Sequence, residues 1–186
     1  MYPMLLTDTS SMVSISIKRV VSVFILRRKG DSPNNLDVAV FRRCPTMPTF
    51  ANHWAGISGS IEESDASPLE AAMRELQEET NVCDILKDQT DDTLQLQSCI
   101  KAGLYLDVSK NTRGAFGGRI IRVYPFALTL PHTMQSIDKI EMRGTEHDAM
   151  KFVSLKEFMQ LTPCVPGLQT AFHHATSGSF LEVRIL

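Results

Sequence analysis

Apolar and β-branched residues dominate the segment from Ser14 to Arg28, and a second apolar run extends from Asp37 to Phe41. Between them, Gly30 to Asn35 form a dense group of turn-forming residues. Two such runs on either side of a turn are typical of paired strands. The pattern therefore predicts a β-hairpin near the start of the chain.

Further strand-like segments follow in the second half of the chain. Leu94 to Val108 and Arg119 to Leu130 flank a basic loop that contains glycine, so we expect them to pair as antiparallel neighbours. Met150 to Val153 predicts another short strand. The polar, acidic stretch from Asp84 to Thr93 indicates a loop on the surface.

The best-marked helix begins after Ser67. Ser67 is a good N-cap, Pro68 suits the first helical position, and Glu70 follows three residues after Ser67, which predicts a capping box. On a helix from Pro68 to Thr80, one arc can face the core: Leu69, Ala72, Met73, Leu76 and Thr80. Two shorter helices are predicted later, over Ser154 to Gln160, with Ser154 and Glu157 as its caps, and over Pro166 to His174.

These elements predict one α+β domain over residues 1–186, with helices packed on a mixed sheet. The longest apolar run, Val20 to Leu26, is far shorter than the roughly 20 residues that cross a bilayer, so no membrane partner is expected. The segment from Met1 to Ser10 lacks the features of a secretory signal. The cytoplasm is the default expectation, and a secreted protein whose signal has been removed is the alternative.

Charge is unevenly distributed along the chain. Residues 62–92 contain 11 of the 21 acidic residues but only two of the 19 basic ones, so this segment carries −9 and the remainder +7. An acidic pole in a mildly basic chain suits a site that holds cations and, through them, an anionic ligand. The alternative is a solvated acidic helix and its loop.

Three carboxylates share a second arc of the main helix. Glu75, Glu78 and Glu79 are spaced i, i+3 and i+4, so each repels its neighbours, and they lie near the negative end of the helix dipole. A bound divalent cation would make the arrangement favourable, because Mg²⁺ prefers carboxylate oxygens and can bridge to phosphates. On spacing alone, a solvated acidic face is the alternative.

The sequence around the three glutamates helps to decide between a metal site and a solvated acidic face. Gly59, an acidic loop, and then Arg74 to Val82 closely resemble the signature of the Nudix hydrolase family, a glycine and a loop followed by R-E-apolar-x-E-E-x-G-apolar. The similarity to the usual Nudix chain extends over about residues 17–158. It implies a Nudix-like α/β/α sandwich with a central mixed β-sheet.

Two departures from the family pattern concern the ends of the motif. The final family glycine is Asn81 here, and asparagine tolerates the left-handed conformation at a helix end. The loop from Gly59 to Arg74 is one residue longer than the family spacing. We interpret this as an insertion that puts Asp65 in the place of the loop glutamate.

The resemblance implies roles for the motif residues. Glu75, Glu78 and Glu79 would bind Mg²⁺, or Mn²⁺, with Glu78 and Glu79 the stronger candidates, and the carbonyl of Ser58 would be a further ligand. Arg74 would orient the catalytic glutamate. Many relatives use a glutamate from a later loop as general base; Glu146 is similarly placed, and Glu141 and Asp148 are rivals.

Substrate contacts are predicted from residue type. Trp54, Phe50, Tyr105 and Phe116 could stack on a base, and arginine matches phosphate oxygens in a bidentate manner. Core packing and solvated loops are the alternative explanations. The candidates retained for substrate binding are Arg42, Arg43, Trp54, Phe116 and Arg119.

The implied activity is metal-dependent cleavage of the P–O–P bond of a nucleoside diphosphate linked to another group. One alternative is hydrolysis of capped RNA, which would use the basic loop Lys110 to Arg122. Another is a Nudix fold retained as a catalytically inactive nucleotide-binding module. The expected partner is a nucleotide-type small molecule or capped RNA; DNA is not expected, and the sequence does not specify the oligomeric state.

Overall fold

The computed structural model describes residues 17–29, 35–89, 99–109, 120–131 and 140–177. The described strands are β1 (Ile17–Arg28), β2 (Leu36–Arg43), β3 (Trp54–Ala55), β4 (Ile57–Ser60), β5 (Ile100–Ala102), β6 (Leu106–Ser109), β7 (Ile120–Thr129) and β8 (His147–Ser154). The described helices are α1 (Pro68–Glu79), α2 (Val82–Gln89), α3 (Leu155–Met159) and α4 (Leu168–Thr176). None of these helices is long and apolar enough to cross a membrane.

One mixed sheet of eight strands organises the described residues. The long strand β1 lies at its centre and pairs parallel with β7 along Ile17 to Leu26. On its other side β1 pairs antiparallel with β4 near its start and with β2 near its end. The antiparallel β1–β2 pair confirms the two strands of the predicted hairpin; most of its turn, residues 30–34, lies outside the described residues.

Both faces of the sheet are covered by helices. One face packs against α1 and α2 through residues such as Ala72 and Leu76, which are fully buried. The other face packs against α3 and α4, where the Phe24 ring meets Phe158 and Phe172 edge-on. The predicted α/β/α sandwich with a central mixed sheet is therefore confirmed.

The predicted strand from Leu94 to Val108 is not continuous. It is replaced by β5 and β6, which both pair antiparallel with β7, so the predicted pairing is right but the element is split. The interruption includes Gly103, where an added Cβ would lie 2.0 Å from the carbonyl oxygen of His174. Helix α4 thus approaches the backbone so closely that no side chain fits at position 103.

The acidic stretch after α1 also differs from its prediction as a loop. Its first part is helical, as α2, because Asn81 begins a new helix by accepting hydrogen bonds from the backbone N–H groups of Asp84 and Ile85. The alternating polar and apolar residues of α2 bury Val82, Cys83 and Leu86. Residues 90–98 lie outside the described residues.

Candidate functional site

Helix α1 begins where the sequence predicts, but its cap differs in one detail. The Ser67 hydroxyl accepts from the backbone N–H of Glu70 at 3.1 Å. The Glu70 carboxylate accepts from the N–H of Ala66 at 2.7 Å instead of returning to the N-cap. The predicted reciprocal capping box is therefore shifted by one residue, and it ties the preceding loop to the helix.

The end of α1 corrects the interpretation of Asn81. Helix α1 ends at Glu79, and Thr80 is extended, with φ −146° and ψ 164°. Among the described non-glycine residues, positive φ occurs at Phe50 and Asn52, so Asn81 is not in the left-handed region. Its side-chain oxygen instead accepts from the N–H of Glu141 at 2.8 Å. Asparagine is useful here as a hydrogen-bond acceptor.

Gly59 lies on β4 directly against the Glu75 carboxylate. A Cβ built on Gly59 would lie 1.9 Å from Oε1 and 2.0 Å from Cδ of Glu75. No side chain fits in that space, so the glycine at this position allows a carboxylate to pack on the strand. The glycine and the first glutamate of the motif therefore pack directly against each other.

Arg74 connects the loop to the carboxylates. Its guanidinium donates twice to Asp65, at 3.1 and 3.0 Å, and once to Glu75 at 2.7 Å. It also donates to the carbonyl of Ser60 at 2.9 Å and lies 3.4 Å from a Glu78 oxygen. These hydrogen bonds hold the pKa of the Asp65 carboxyl below its ordinary value. Asp65 thus faces the arginine.

The three glutamates of the motif differ in exposure. The side chain of Glu78 is 58% exposed, whereas the side chains of Glu75 and Glu79 are 10% and 6% exposed. Burial raises the pKa of the Glu75 carboxyl, opposed by Arg74, and burial also raises that of Glu79, opposed by His147. Loss of hydration thus contributes more to the raised proton affinity than does repulsion between neighbouring carboxylates.

His147 is a site residue that the sequence reasoning missed. Its Nδ1 lies 3.1 Å from Oε2 of Glu79, and its side chain is 2% exposed. The imidazole packs against the Phe41 ring, with centroids 5.5 Å apart. The pair joins β8 to the end of α1 across 68 positions, so no local spacing in the sequence could indicate it.

A cavity of about 540 Å³ opens beside the carboxylates. Its lining includes several predicted site residues: Arg43, Ser58, Arg74, Glu75, Glu78 and Glu146. Phe50 also lines it, while Glu79 is buried behind it in the pair with His147. The described residues therefore bring two arginines, one aromatic ring and three carboxylates of the predicted set to a single space.

Other predicted substrate residues lie elsewhere. Arg42 forms a bidentate ion pair with Asp148, at 2.8 and 3.2 Å, outside the cavity lining. Trp54 also lies outside that lining, and the Lys151 ammonium lies 4.6 Å from the centre of its ring. Phe116 and Arg119 lie outside the described residues.

The three candidate bases are also separated by the structure. Glu146 is exposed and lines the cavity, and its backbone carbonyl accepts from the N–H of Cys44 at 2.8 Å. Asp148 is occupied by Arg42, which holds the pKa of its carboxyl below the ordinary value. Glu141 does not line the cavity.

The donor set is suited to a hard divalent cation but is not assembled as a cluster. Within the described segments, no three His, Cys, Asp or Glu side chains are placed to hold a metal ion together. Oxygen donors are nevertheless what Mg²⁺ and Mn²⁺ require. Oε1 of Glu79 is buried and has no hydrogen-bond partner among the described residues, so it is available to a cation.

Comparison with known proteins agrees with this arrangement. The family model for the NUDIX domain matches residues 17–174. This chain belongs to the Nudix family. Its relatives in that family include hydrolases, and the comparison with curated proteins gave no match.

Solved structures with the same fold come from several organisms. The NUDIX domain of Shewanella oneidensis NrtR, in complex with ADP ribose, has a TM-score of 0.57 at 16% identity, covering 92% of each chain. An Ap4A hydrolase of C. elegans in a binary complex has a TM-score of 0.50 at 15% identity, covering 87% of this chain and 99% of its own. A NUDIX hydrolase of Alicyclobacillus acidocaldarius has 0.53 at 14% identity, covering 84% and 91%. At these identities the likeness establishes the fold.

Proposed function

We propose that this Nudix protein is a metal-dependent pyrophosphohydrolase that cleaves the P–O–P bond of a nucleoside diphosphate linked to another group. The observation that supports this most directly is the cavity, where Glu75 and Glu78 lie beside Arg43 and Phe50. The carboxylates are suited to cation-assisted chemistry, the guanidinium to phosphate oxygens and the ring to a base. The ADP ribose bound in the NrtR structure, and the dinucleotide for which the Ap4A hydrolase is named, are consistent with this class.

The residues of the motif have distinct tasks in this proposal. Glu75, Glu78, Glu79 and the Ser58 carbonyl would hold Mg²⁺ or Mn²⁺, which when bound polarises phosphoryl oxygens and makes water a better nucleophile. Arg74 fixes the Glu75 carboxylate through its 2.7 Å hydrogen bond, and Asp65 fixes Arg74. Arg74 is therefore a positioning residue.

Glu146 and Arg43 act on the substrate and on water. Glu146 is exposed at the cavity, so its carboxylate can accept a proton from water as the water oxygen bonds to phosphorus and a P–O bond breaks. Nε of Arg43 already donates to the carbonyl of Thr49 at 3.1 Å, which orients the guanidinium and leaves its other N–H groups for phosphate.

The test is Mg²⁺-dependent product release by the wild type and by Glu78→Gln. The panel contains nucleoside diphosphate sugars, dinucleoside polyphosphates, inositol pyrophosphates and capped RNA. We expect turnover of a nucleoside diphosphate derivative and a loss of at least about 100-fold in Glu78→Gln, since a removed ligand weakens both metal binding and catalysis. Glu70→Gln, on the same helix but outside the cavity lining, is the matched control and should retain activity.

Other outcomes would select the alternatives. Nucleotide binding without turnover of any substrate would contradict the enzyme and favour the inactive binding module. Preferential turnover of capped RNA would favour decapping, which no observation on the described residues favours at present. Arg122, at the end of the proposed RNA-contacting loop, is already paired with Asp107 at 2.7 Å.

A further inference from the structure

The floor of the cavity has polar residues at one end and apolar residues at the other. Its strands follow in the order β4, β1, β7 and β6, and register places Ser58 opposite Ser22, Val20 opposite Val123, and Val123 opposite Leu106. All five residues line the cavity. Since neighbouring strands are about 4.8 Å apart, the floor extends about 14 Å from Ser58, which precedes Gly59 on β4, to Leu106.

The far end is apolar above as well as below. There β6 and β7 contribute Leu106, Ile121 and Val123, which we call the aliphatic floor, and the start of α4 contributes Leu168 and Ala171 above it. Every described lining residue from β6, β7 and the segment 165–171 is apolar or glycine. Among the described lining residues, the one charged neighbour on this part of the floor is Lys18, which lies opposite Ile121 in the register.

The aliphatic floor continues into the core. Leu106, Val123 and Val165 are partly buried and pack against the cluster of buried residues between the sheet and α3 and α4. A sugar or base placed there would lose its hydrogen bonds to water with little to replace them. A hydrocarbon chain would instead remove its own surface and that of the floor from water.

We infer that the group linked to the nucleoside diphosphate is an aliphatic chain that lies on Leu106, Ile121 and Val123 beneath the start of α4. This rests on the proposed function, which places the P–O–P bond at the carboxylate end of the same cavity. The nucleotide then occupies the side of Arg43 and Phe50, and the chain extends the other way. A cavity of about 540 Å³ is in the range of pockets that hold ligands of that size.

The test uses adenosine diphosphate esterified on its β-phosphate with methyl, butyl or octyl groups, and ADP-ribose as the polar comparison. Affinity is measured by calorimetry without metal, and kcat/KM is measured with Mg²⁺. We expect both to rise with chain length, by about fourfold per buried methylene until the floor is covered. A flat or falling series, or tighter binding of ADP-ribose than of the octyl ester, would overturn the inference.

The two readouts separate this inference from the proposed function. Binding that rises with chain length without any turnover would support the aliphatic subsite and contradict the hydrolase. Turnover of all esters at equal efficiency would support the hydrolase and contradict the subsite.

A variant locates the chain on the floor. Val123→Thr keeps the shape of the side chain but replaces a methyl group with a hydroxyl, so the ratio of octyl to methyl affinity should fall by about fivefold. Ile85→Thr, at a partly buried position of helix α2, which packs on the opposite face of the sheet, is the control and should leave the ratio unchanged. Equal losses for both esters in Val123→Thr would mean that the residue serves folding alone and would count against the inference.

Discussion

Replacing Gly59 with alanine should disturb the site through a single contact. The added methyl group would lie 1.9 Å from Oε1 and 2.0 Å from Cδ of Glu75. The φ angle of Gly59 is outside the left-handed region, so the alanine backbone itself is not strained. Any loss of stability must therefore come from the encounter with the carboxylate.

The size of the loss follows from what the carboxylate must give up. To reach an ordinary separation of more than 3 Å, Glu75 has to move by about 1 Å or more, away from the Arg74 nitrogen that now lies 2.7 Å from it. Losing a buried hydrogen bond between charged groups costs about 1.5–3 kcal/mol. The lower entropy of the unfolded alanine chain offsets about 0.5 kcal/mol. The expected net loss in the free energy of unfolding is about 1–2.5 kcal/mol.

A double-mutant cycle with urea unfolding, in metal-free buffer, measures this. In the Glu75→Ala background the carboxylate is gone, so Gly59→Ala should cost nearly nothing, and the coupling energy should exceed about 1 kcal/mol. The reasoning fails if Gly59→Ala costs the same amount in both backgrounds. That result would assign the loss to the strand β4 instead of to its contact with Glu75.

Three further predictions concern buried groups. Burial raises the pKa of the Cys83 thiol to about 11, so at pH 8 a thiol reagent followed by mass spectrometry should label it only on unfolding. His147→Leu should lower the free energy of unfolding by about 1–3 kcal/mol, because the buried Glu79 carboxylate would lose the imidazole that lies 3.1 Å from it, and His147→Asn should lose less. Because burial raises the pKa of Glu75 and Glu79, the metal-free folded protein holds these protons more tightly than the unfolded chain. Their stabilising contribution is present below the ordinary carboxyl pKa and is lost as pH rises through the raised values; Glu79→Gln should flatten that decline in urea unfolding at a series of pH values.

Elements with strong local signals could be predicted from the sequence. Helix α1 has its cap and first-position proline within a few residues, and the strands β1 and β2 are recognisable from their apolar runs. The close approach of the His174 backbone oxygen to Gly103 could not be predicted, because His174 lies on a distant helix. Local composition shows which conformation a segment prefers but does not show which distant segment presses on it.

The candidate site was predictable to the same degree. The motif indicates that Gly59, Arg74 and Glu75 belong to one site. The structure shows the contacts that join them: Gly59 and Arg74 both lie against the Glu75 carboxylate. Adjacent residues of a strand point to opposite sides, so Arg42 and Arg43 cannot both face the cavity. The sequence does not show which of the two does. The pairing of β2 with β8 shifts its register between these two residues. Arg42 forms an ion pair with Asp148, and Arg43 lines the cavity.

The ion pair between Arg74 and Asp65 has a consequence for how such loops can vary in length. Glu62 and Asp65 close a small turn, in which the Asp65 carboxylate also accepts from the N–H of Glu62 at 2.8 Å. The ion pair requires a carboxylate at a fixed position next to the guanidinium. It does not depend on how many loop residues precede that carboxylate. A loop anchored by its side chain can gain or lose a residue while the helix behind it stays in place. A motif that requires a fixed number of residues between the glycine and the arginine is therefore stricter than the ion pair between Arg74 and Asp65 requires.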